Sequence, residues 1–179
     1  WRAEQRAAGR RVVLTNGCFD LLHAGHVRYL AEARALGDAL VVAVNDDASV
    51  QALKGAGRPV NAAEDRADVL AALRAVDRAV IFSGERATAV ITALQPDIYA
   101  KGGDYTVDSL NPEERAALDA TGTAIHILGL VPGKSTSATL ARLAAPADAP
   151  RKPRLGVLGS GSGSNFQSIL DAIAAGSLE

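Results

Sequence analysis

The β-branched run Arg11-Val12-Val13-Leu14 leads into Thr15-Asn16-Gly17-Cys18-Phe19-Asp20-Leu21-Leu22-His23-Ala24-Gly25-His26, and a helical spacing of apolar residues follows over 27–36. A short apolar strand, a glycine breaker and a helix in that order specify one βα unit of a parallel sheet. His23 and His26 then lie at the strand's carboxyl end, where open parallel sheets bind ligands. The free N–H groups and positive dipole end of the following helix favour an anion there, and Gly25 removes a side chain where backbone must approach it.

Two plainer uses of the histidines compete with an anion site. A zinc site needs about three or four protein ligands, yet the only other histidine is the distant His126 and the only cysteine is Cys18, a residue type that is usually a small buried hydrophobe. Ordinary packing is the common fate of one histidine, but not of two flanking a glycine at this junction. The arrangement therefore points to phosphate, with no metal held by protein ligands.

Further strand-like runs at 39–44, 79–82, 97–101 and 124–128 alternate with helical patterns at 62–73, 87–94, 112–120 and 136–143. This alternation predicts a doubly wound parallel α/β sheet. Asn61 with Glu64 has the spacing of a capping box, Asn111 precedes Pro112 as a helix cap, and Gly122 reads as a left-handed helix stop. His126, alternating with apolar residues, is expected to be structural.

The chain has 179 residues, 19 basic and 20 acidic, for a net charge of −1. That balance gives no electrostatic reason to expect nucleic acid or a membrane surface as partner. No apolar run approaches the ~20 residues of a membrane span, no leader pattern opens the chain, and the single cysteine allows no internal disulfide; a cytoplasmic enzyme is expected. The chain starts at Trp1 and has no methionine, so it is expected to come from a longer reading frame with a domain upstream.

Residues 144–153 are small, Pro-rich and polar, as an interdomain linker is. Leu155-Gly156-Val157-Leu158 then runs into Gly159-Ser160-Gly161-Ser162-Gly163-Ser164-Asn165 and a helical pattern, a second strand–loop–helix suited to phosphate. It lacks the third glycine of a dinucleotide fingerprint. Over residues 154–176 it resembles the opening of the phosphoribosylglycinamide formyltransferase family. Three parts are thus expected: a domain at 1–143, a linker at 144–153, and an incomplete second α/β domain at 154–179, too short to bury a core of its own.

The His-x-Gly-His element after Asn16-Gly17-Cys18-Phe19-Asp20 resembles the nucleotidyltransferase family that includes cytidylyltransferases and ADP-heptose synthases. Asp47-Ala48-Ser49-Val50, Leu53-Lys54-Gly55, Gly57-Arg58-Pro59-Val60-Asn61, Lys101-Gly102-Gly103-Asp104-Tyr105-Thr106 and Gly133-Lys134-Ser135-Thr136-Ser137 follow in the order found in the ADP-heptose synthase adenylyltransferase domain. The likeness covers residues 10–143. It implies a Rossmann-like nucleotidyltransferase fold and transfer of AMP from ATP to D-glycero-β-D-manno-heptose 1-phosphate, giving ADP-heptose and pyrophosphate with Mg²⁺ on the phosphates. It also implies a sugar kinase as a preceding domain or separate partner, and small transferases of this kind often pair as homodimers.

Such chemistry needs positioning and charge stabilisation rather than a covalent intermediate. By resemblance, His23 and His26 donate to phosphate oxygens, and Lys54, in a glycine-bordered loop, reaches across the phosphates. Asn16, Gly17, Phe19 and Gly25 line the base and phosphate path. Asp20 steadies the histidine turn or contacts nucleotide, with a purely local Asx turn equally open. Arg58, Lys101 and Asp104 are candidates for the acceptor, Asp104 being equally readable as a turn cap. Gly133-Lys134-Ser135-Thr136 is not a P-loop, because Gly129 is one residue too close; Ser135 and Thr136 can still present hydroxyls and N–H groups to the β- and γ-phosphates, or merely cap a helix. Three other readings stay open: a glycerol-3-phosphate-type cytidylyltransferase, separable by which nucleotide protects the fold thermally; a non-catalytic nucleotide-binding module, which would release no pyrophosphate; and a fragment whose parent chain acts as the formyltransferase.

Overall fold

The computed structural model describes residues 1–103, 106, 109–129, 136, 140 and 164–175. Two compact units divide the chain, Trp1–Leu140 and Ala141–Glu179. The first holds α1 (Arg2–Ala7), β1 (Val12–Gly17), α2 (Ala24–Ala35), β2 (Ala39–Asn45), α3 (Asp47–Lys54), α4 (Ala63–Ala71), β3 (Arg78–Phe82), α5 (Thr88–Leu94), β4 (Ile98–Gly102), α6 (Pro112–Thr121) and β5 (Ala124–Leu128). In the second, the helix Ser164–Ala174 contains the helical pattern expected after the Gly/Ser run. The expected linker 144–153, strand 155–158 and loop 159–163 lie outside the described residues.

All five strands are parallel, in the order β3-β2-β1-β4-β5. Chain order reverses between β1 and β4, and a crevice opens at such a point because the flanking crossovers leave in opposite directions. Period-two alternation along each strand then builds two cores. Val12, Leu14, Val41, Ala43 and Tyr99 pack with Ile91 and Leu118 on one face, while Val13, Leu40, Val42, Val44, Ile98 and Ala100 pack with Leu30, Ala33 and Leu70 on the other. Burying each such Val or Leu contributes about 1.5–3 kcal/mol. Both faces are covered, so β2 is buried throughout its length, as a central parallel strand must be.

Acidic residues fix where strands begin. Asp97 accepts the Val12 N–H at 2.7 Å, Asp38 that of Arg11 at 2.8 Å, and Asp77 that of Leu40 at 2.8 Å while also pairing with Arg34. Asn111 caps α6 through bonds to the Glu113 and Glu114 N–H groups with Pro112 in the first turn, and Gly122 ends it at φ 67°, as expected.

Two expectations need correction. Asn61 does not form a capping box: Ala62 is the cap residue of α4, without a side-chain bond, because the Asn61 amide donates to the Asp20 carbonyl instead. Lys54 is not in a loop but is the last residue of α3, capped at its start by Asp46 and closed by Gly55 at φ 92°. α3 and α1 were both missed, since helices of eight and six residues show too few apolar repeats to reveal a period. His126 stands exposed on β5.

Candidate active site

β1 ends at Gly17, and the backbone turns through Phe19, whose φ of 45° is left-handed. A side chain at Gly17 would crowd the Phe19 ring at 3.1 Å, so the glycine makes room for that turn. His23 is the N-cap of α2, in extended conformation, and its Nδ1 accepts the His26 N–H at 3.4 Å. An imidazole that accepts at Nδ1 carries its proton on Nε2, leaving that N–H to donate outward. His26 stacks on His23 with centroids 3.9 Å apart and planes at 17°, while Phe19 meets His26 edge-on at 5.4 Å. The two histidines are thus held as a rigid plate over the positive end of α2.

Burial, and then the neighbouring His23, push the His26 pKa down to about 4. His26 is therefore neutral near pH 7 and offers one N–H rather than a charge. Cations supply the charge around it. A cavity of about 820 Å³ opens over the β1/β4 crevice, and Asn16, Gly17, Phe19, Asp20, His23, Gly25 and His26 line it beside Lys54, Arg58, Lys101 and Thr136. Every described residue expected at the site reaches this one cavity. Asp104 and Ser135 lie outside the described residues.

Asp20 is engaged by a neighbouring segment of the chain. Its side chain is 2% exposed; Oδ2 pairs with Arg58 Nε, and Oδ1 accepts the Val60 N–H at 2.7 Å and the Asn61 N–H at 3.2 Å. Burial raises the carboxyl's pKa, but the bonds from Arg58, Val60 and Asn61 outweigh it and hold the group below its ordinary value. Asp20 therefore clamps the 58–61 segment against the histidine turn, and Arg58 reaches the cavity as the partner of a carboxylate.

Across β1 and β4, Asn16 Oδ1 accepts from Tyr99 Oη at 2.6 Å and from Lys101 Nζ at 2.9 Å. With its oxygen so engaged, the Asn16 amide turns its NH₂ group away from them. Burial lowers the Lys101 pKa; Glu114 opposes the shift and Arg86 adds to it. Tyr29 bridges Thr15 at 2.6 Å and the Ala100 carbonyl at 3.0 Å, its hydroxyl pushed up to about 12 by burial. Gly102 admits that ring: a Cβ there would sit 2.7 Å from Tyr29 Cε2. Thr136 donates to the Leu21 carbonyl at 3.1 Å.

Reading the sequence missed several residues of this cavity. Glu85 and Arg86 come from the segment before α5, and Ser109, Leu110, Asn111 and Glu114 from the start of α6. Glu114 is buried and accepts the Ala87 N–H at 2.9 Å; a charge in the first turn of α6 reads from sequence only as a favourable helix start. Cys18, half-buried in the turn, has its thiol pKa raised by burial, against the opposing influence of Lys54 and Arg66. Among the described residues no group of three or more His, Cys, Asp or Glu side chains comes together to hold a metal ion, and no helix is long and apolar enough to cross a membrane. The arrangement is a crevice with N–H donors at a helix start and cations along its lining, a chemistry suited to a polyphosphate anion.

The cytidylyltransferase-like family model matches residues 14–143. The bifunctional protein HldE of Alkalilimnicola ehrlichii is 51% identical over 146 residues, 82% of this chain and 30% of that protein. The HldE of Ectopseudomonas mendocina is 49% identical over 140 residues, 78% of this chain and 29% of that protein. The crystal structure of a lipopolysaccharide core biosynthesis protein from Thermoplasma volcanium superposes with a TM-score of 0.56 at 29% identity, covering 69% of this chain and 98% of that one. The chain spans about 30% of the length of the curated relatives it matches.

Proposed function

From the premise that the chain belongs to the cytidylyltransferase-like family, we propose that it is a nucleotidyltransferase that moves AMP from Mg-ATP to a sugar 1-phosphate, D-glycero-β-D-manno-heptose 1-phosphate. An acceptor phosphate oxygen attacks the α-phosphorus of ATP, the bond from that phosphorus to the bridging oxygen of the β-phosphate breaks, and pyrophosphate leaves with the bond's electron pair. ADP-heptose is the other product. One observation carries the reading: the stacked His23–His26 pair caps α2 at the topological switch point, on a cavity that also gathers Lys54, Arg58 and Lys101.

His23 and His26 donate to the α- and β-phosphates, and Lys54 and Arg58 offset charge on the departing pyrophosphate. Losing one such donor costs on the order of 10²–10³ in rate. Lys101 and the Asn16 amide face the acceptor, with Asp104 and Ser135 as further contacts from their motifs. Mg²⁺ arrives on the ATP phosphates. The likeness to HldE supports ATP and the heptose phosphate; a sugar kinase as a companion domain and a homodimer belong to the same reading. For residues 154–176, the pattern followed by the helix Ser164–Ala174 supports the start of a second phosphate-binding α/β domain.

The test is product identity. Mg-ATP or Mg-CTP is paired with heptose 1-phosphate or glycerol 3-phosphate, and the nucleotide product is resolved by anion-exchange chromatography and mass. ADP-heptose from the first pair alone is expected. A CDP-linked product would move the chain to the cytidylyltransferase branch, and nucleotide binding without pyrophosphate release would make it a binding module.

A further inference from the structure

Arg66, in the first turns of α4, is buried like a core residue, with its side chain 1% exposed. Four acceptors surround its guanidinium. Nε donates to the Asn61 carbonyl at 3.0 Å, Nη1 to the Cys18 carbonyl at 2.6 Å, and Nη2 to the Asn45 carbonyl at 2.8 Å and to Asp47 Oδ1 at 2.7 Å. Only a planar fork with donors on three nitrogens can serve such a set; a lysine cannot. As packing this is costly, since its ion-pair partner Asp47 is half-exposed while the guanidinium is almost wholly buried.

The four partners belong to the parts that compose the phosphate site. Cys18 lies in the histidine turn, Asn45 ends β2, Asp47 opens α3, and Asn61 belongs to the segment clamped by Asp20. Lys54 stands at the far end of α3, about 10 Å along the helix axis from Asp47 at 1.5 Å per residue. A tilt of about 10° at the Asp47 end would carry Lys54 by about 2 Å on that lever, enough to break a hydrogen bond whose useful range is about 2.7–3.2 Å.

We infer that Arg66 is a positioning residue that fixes the distance between the His23–His26 pair and Lys54, so that one phosphate chain meets both. The inference rests on the nucleotidyl-transfer reading for the identity of the chain, but it is tested on phosphate binding itself. Magnesium tripolyphosphate binding is measured by calorimetry on the full chain and on Lys54→Ala, Arg66→Lys, Asp47→Ala and the doubles that join each of the last two to Lys54→Ala, with circular dichroism confirming the fold at the working temperature. Lys54→Ala is expected to weaken binding about tenfold, Arg66→Lys by a comparable factor and Asp47→Ala by a smaller one, and neither double should be weaker than Lys54→Ala by more than about twofold, because groups acting in series are not additive. A merely structural arginine would give multiplicative losses.

Additive doubles overturn the inference. So does unchanged binding in a folded Arg66→Lys or Asp47→Ala, or a wild-type chain that does not bind tripolyphosphate. If Arg66→Lys fails to fold, the Asp47→Ala cycle decides alone, since Asp47 is half-exposed and the other three Arg66 bonds remain. Absence of pyrophosphate release from the wild type with an intact, non-additive cycle would sink the enzymatic reading and leave the positioning role standing.

Discussion

Replacing Asp20 with Asn separates a clamp from a nucleotide contact. The change is nearly isosteric, yet it removes the charge that Arg58 faces, and its NH₂ must point either at Arg58 Nε–H or at the Val60 and Asn61 N–H groups, all of them donors. A buried donor left without an acceptor costs about 1–3 kcal/mol, and breaking a buried ion pair costs about 3–5 kcal/mol. Arg58 retains 16% exposure, so water recovers part of this, and about 3 kcal/mol is the working figure. At a urea slope of about 2 kcal/mol/M the midpoint of Asp20→Asn should fall by about 1.5 M at pH 7. The carboxyl's pKa is depressed in the folded state from 3.8, so its stabilisation is fully present above the unfolded value and is lost as pH falls through the folded one. The gap between wild type and variant should therefore hold steady from neutral pH down to about 5 and narrow below about 4. A midpoint drop below about 0.5 M, or a gap that widens on acidification, would refute the clamp and return Asp20 to the ligand.

Three further outcomes are expected. In the empty protein, the His26 ring signals should titrate near 4 by NMR; because the folded value lies below the unfolded one, His26 makes stability fall as pH drops from about 6.5 toward 4, and a midpoint at or above 6 would contradict its burial. Gly102→Ala, forcing a Cβ to 2.7 Å from the Tyr29 ring, should cost about 1–3 kcal/mol by overpacking, read as a lowered melting temperature. Lys54→Ala, at the exposed end of α3, should shift stability by less than about 0.5 kcal/mol while lowering kcat/KM about 10²-fold, and parallel losses of stability and activity would show that Lys54 is structural.

The sheet was legible because each strand carries a short apolar run and glycine or asparagine breaks separate these runs from helical spacings; all five strand positions follow from that pattern, with ends shifted by up to two residues. The site was legible where a motif states its chemistry in one stretch, as in His23-Ala24-Gly25-His26. It was illegible where chemistry comes from long-range contact. Arg66 reads as an ordinary helical charge, Tyr99 as a strand aromatic and Glu114 as a helix-start acid, and only the tertiary structure brings them to Asp47, Asn16 and Ala87. Asn61 shows the same limit in reverse: its local pattern favours a cap, and a stronger demand from Asp20 takes its side chain elsewhere.

The central claim is that the His23–His26 plate stabilises charge on a phosphate chain during transfer, and the direct measurement is steady-state pyrophosphate release from Mg-ATP and heptose 1-phosphate by wild type and His26→Ala at a temperature where both are folded. The account predicts turnover by the wild type and a loss of about 10²–10³ in kcat for the variant, with nucleotide-dependent thermal stabilisation kept within a few degrees. Equal turnover by the two proteins would contradict it.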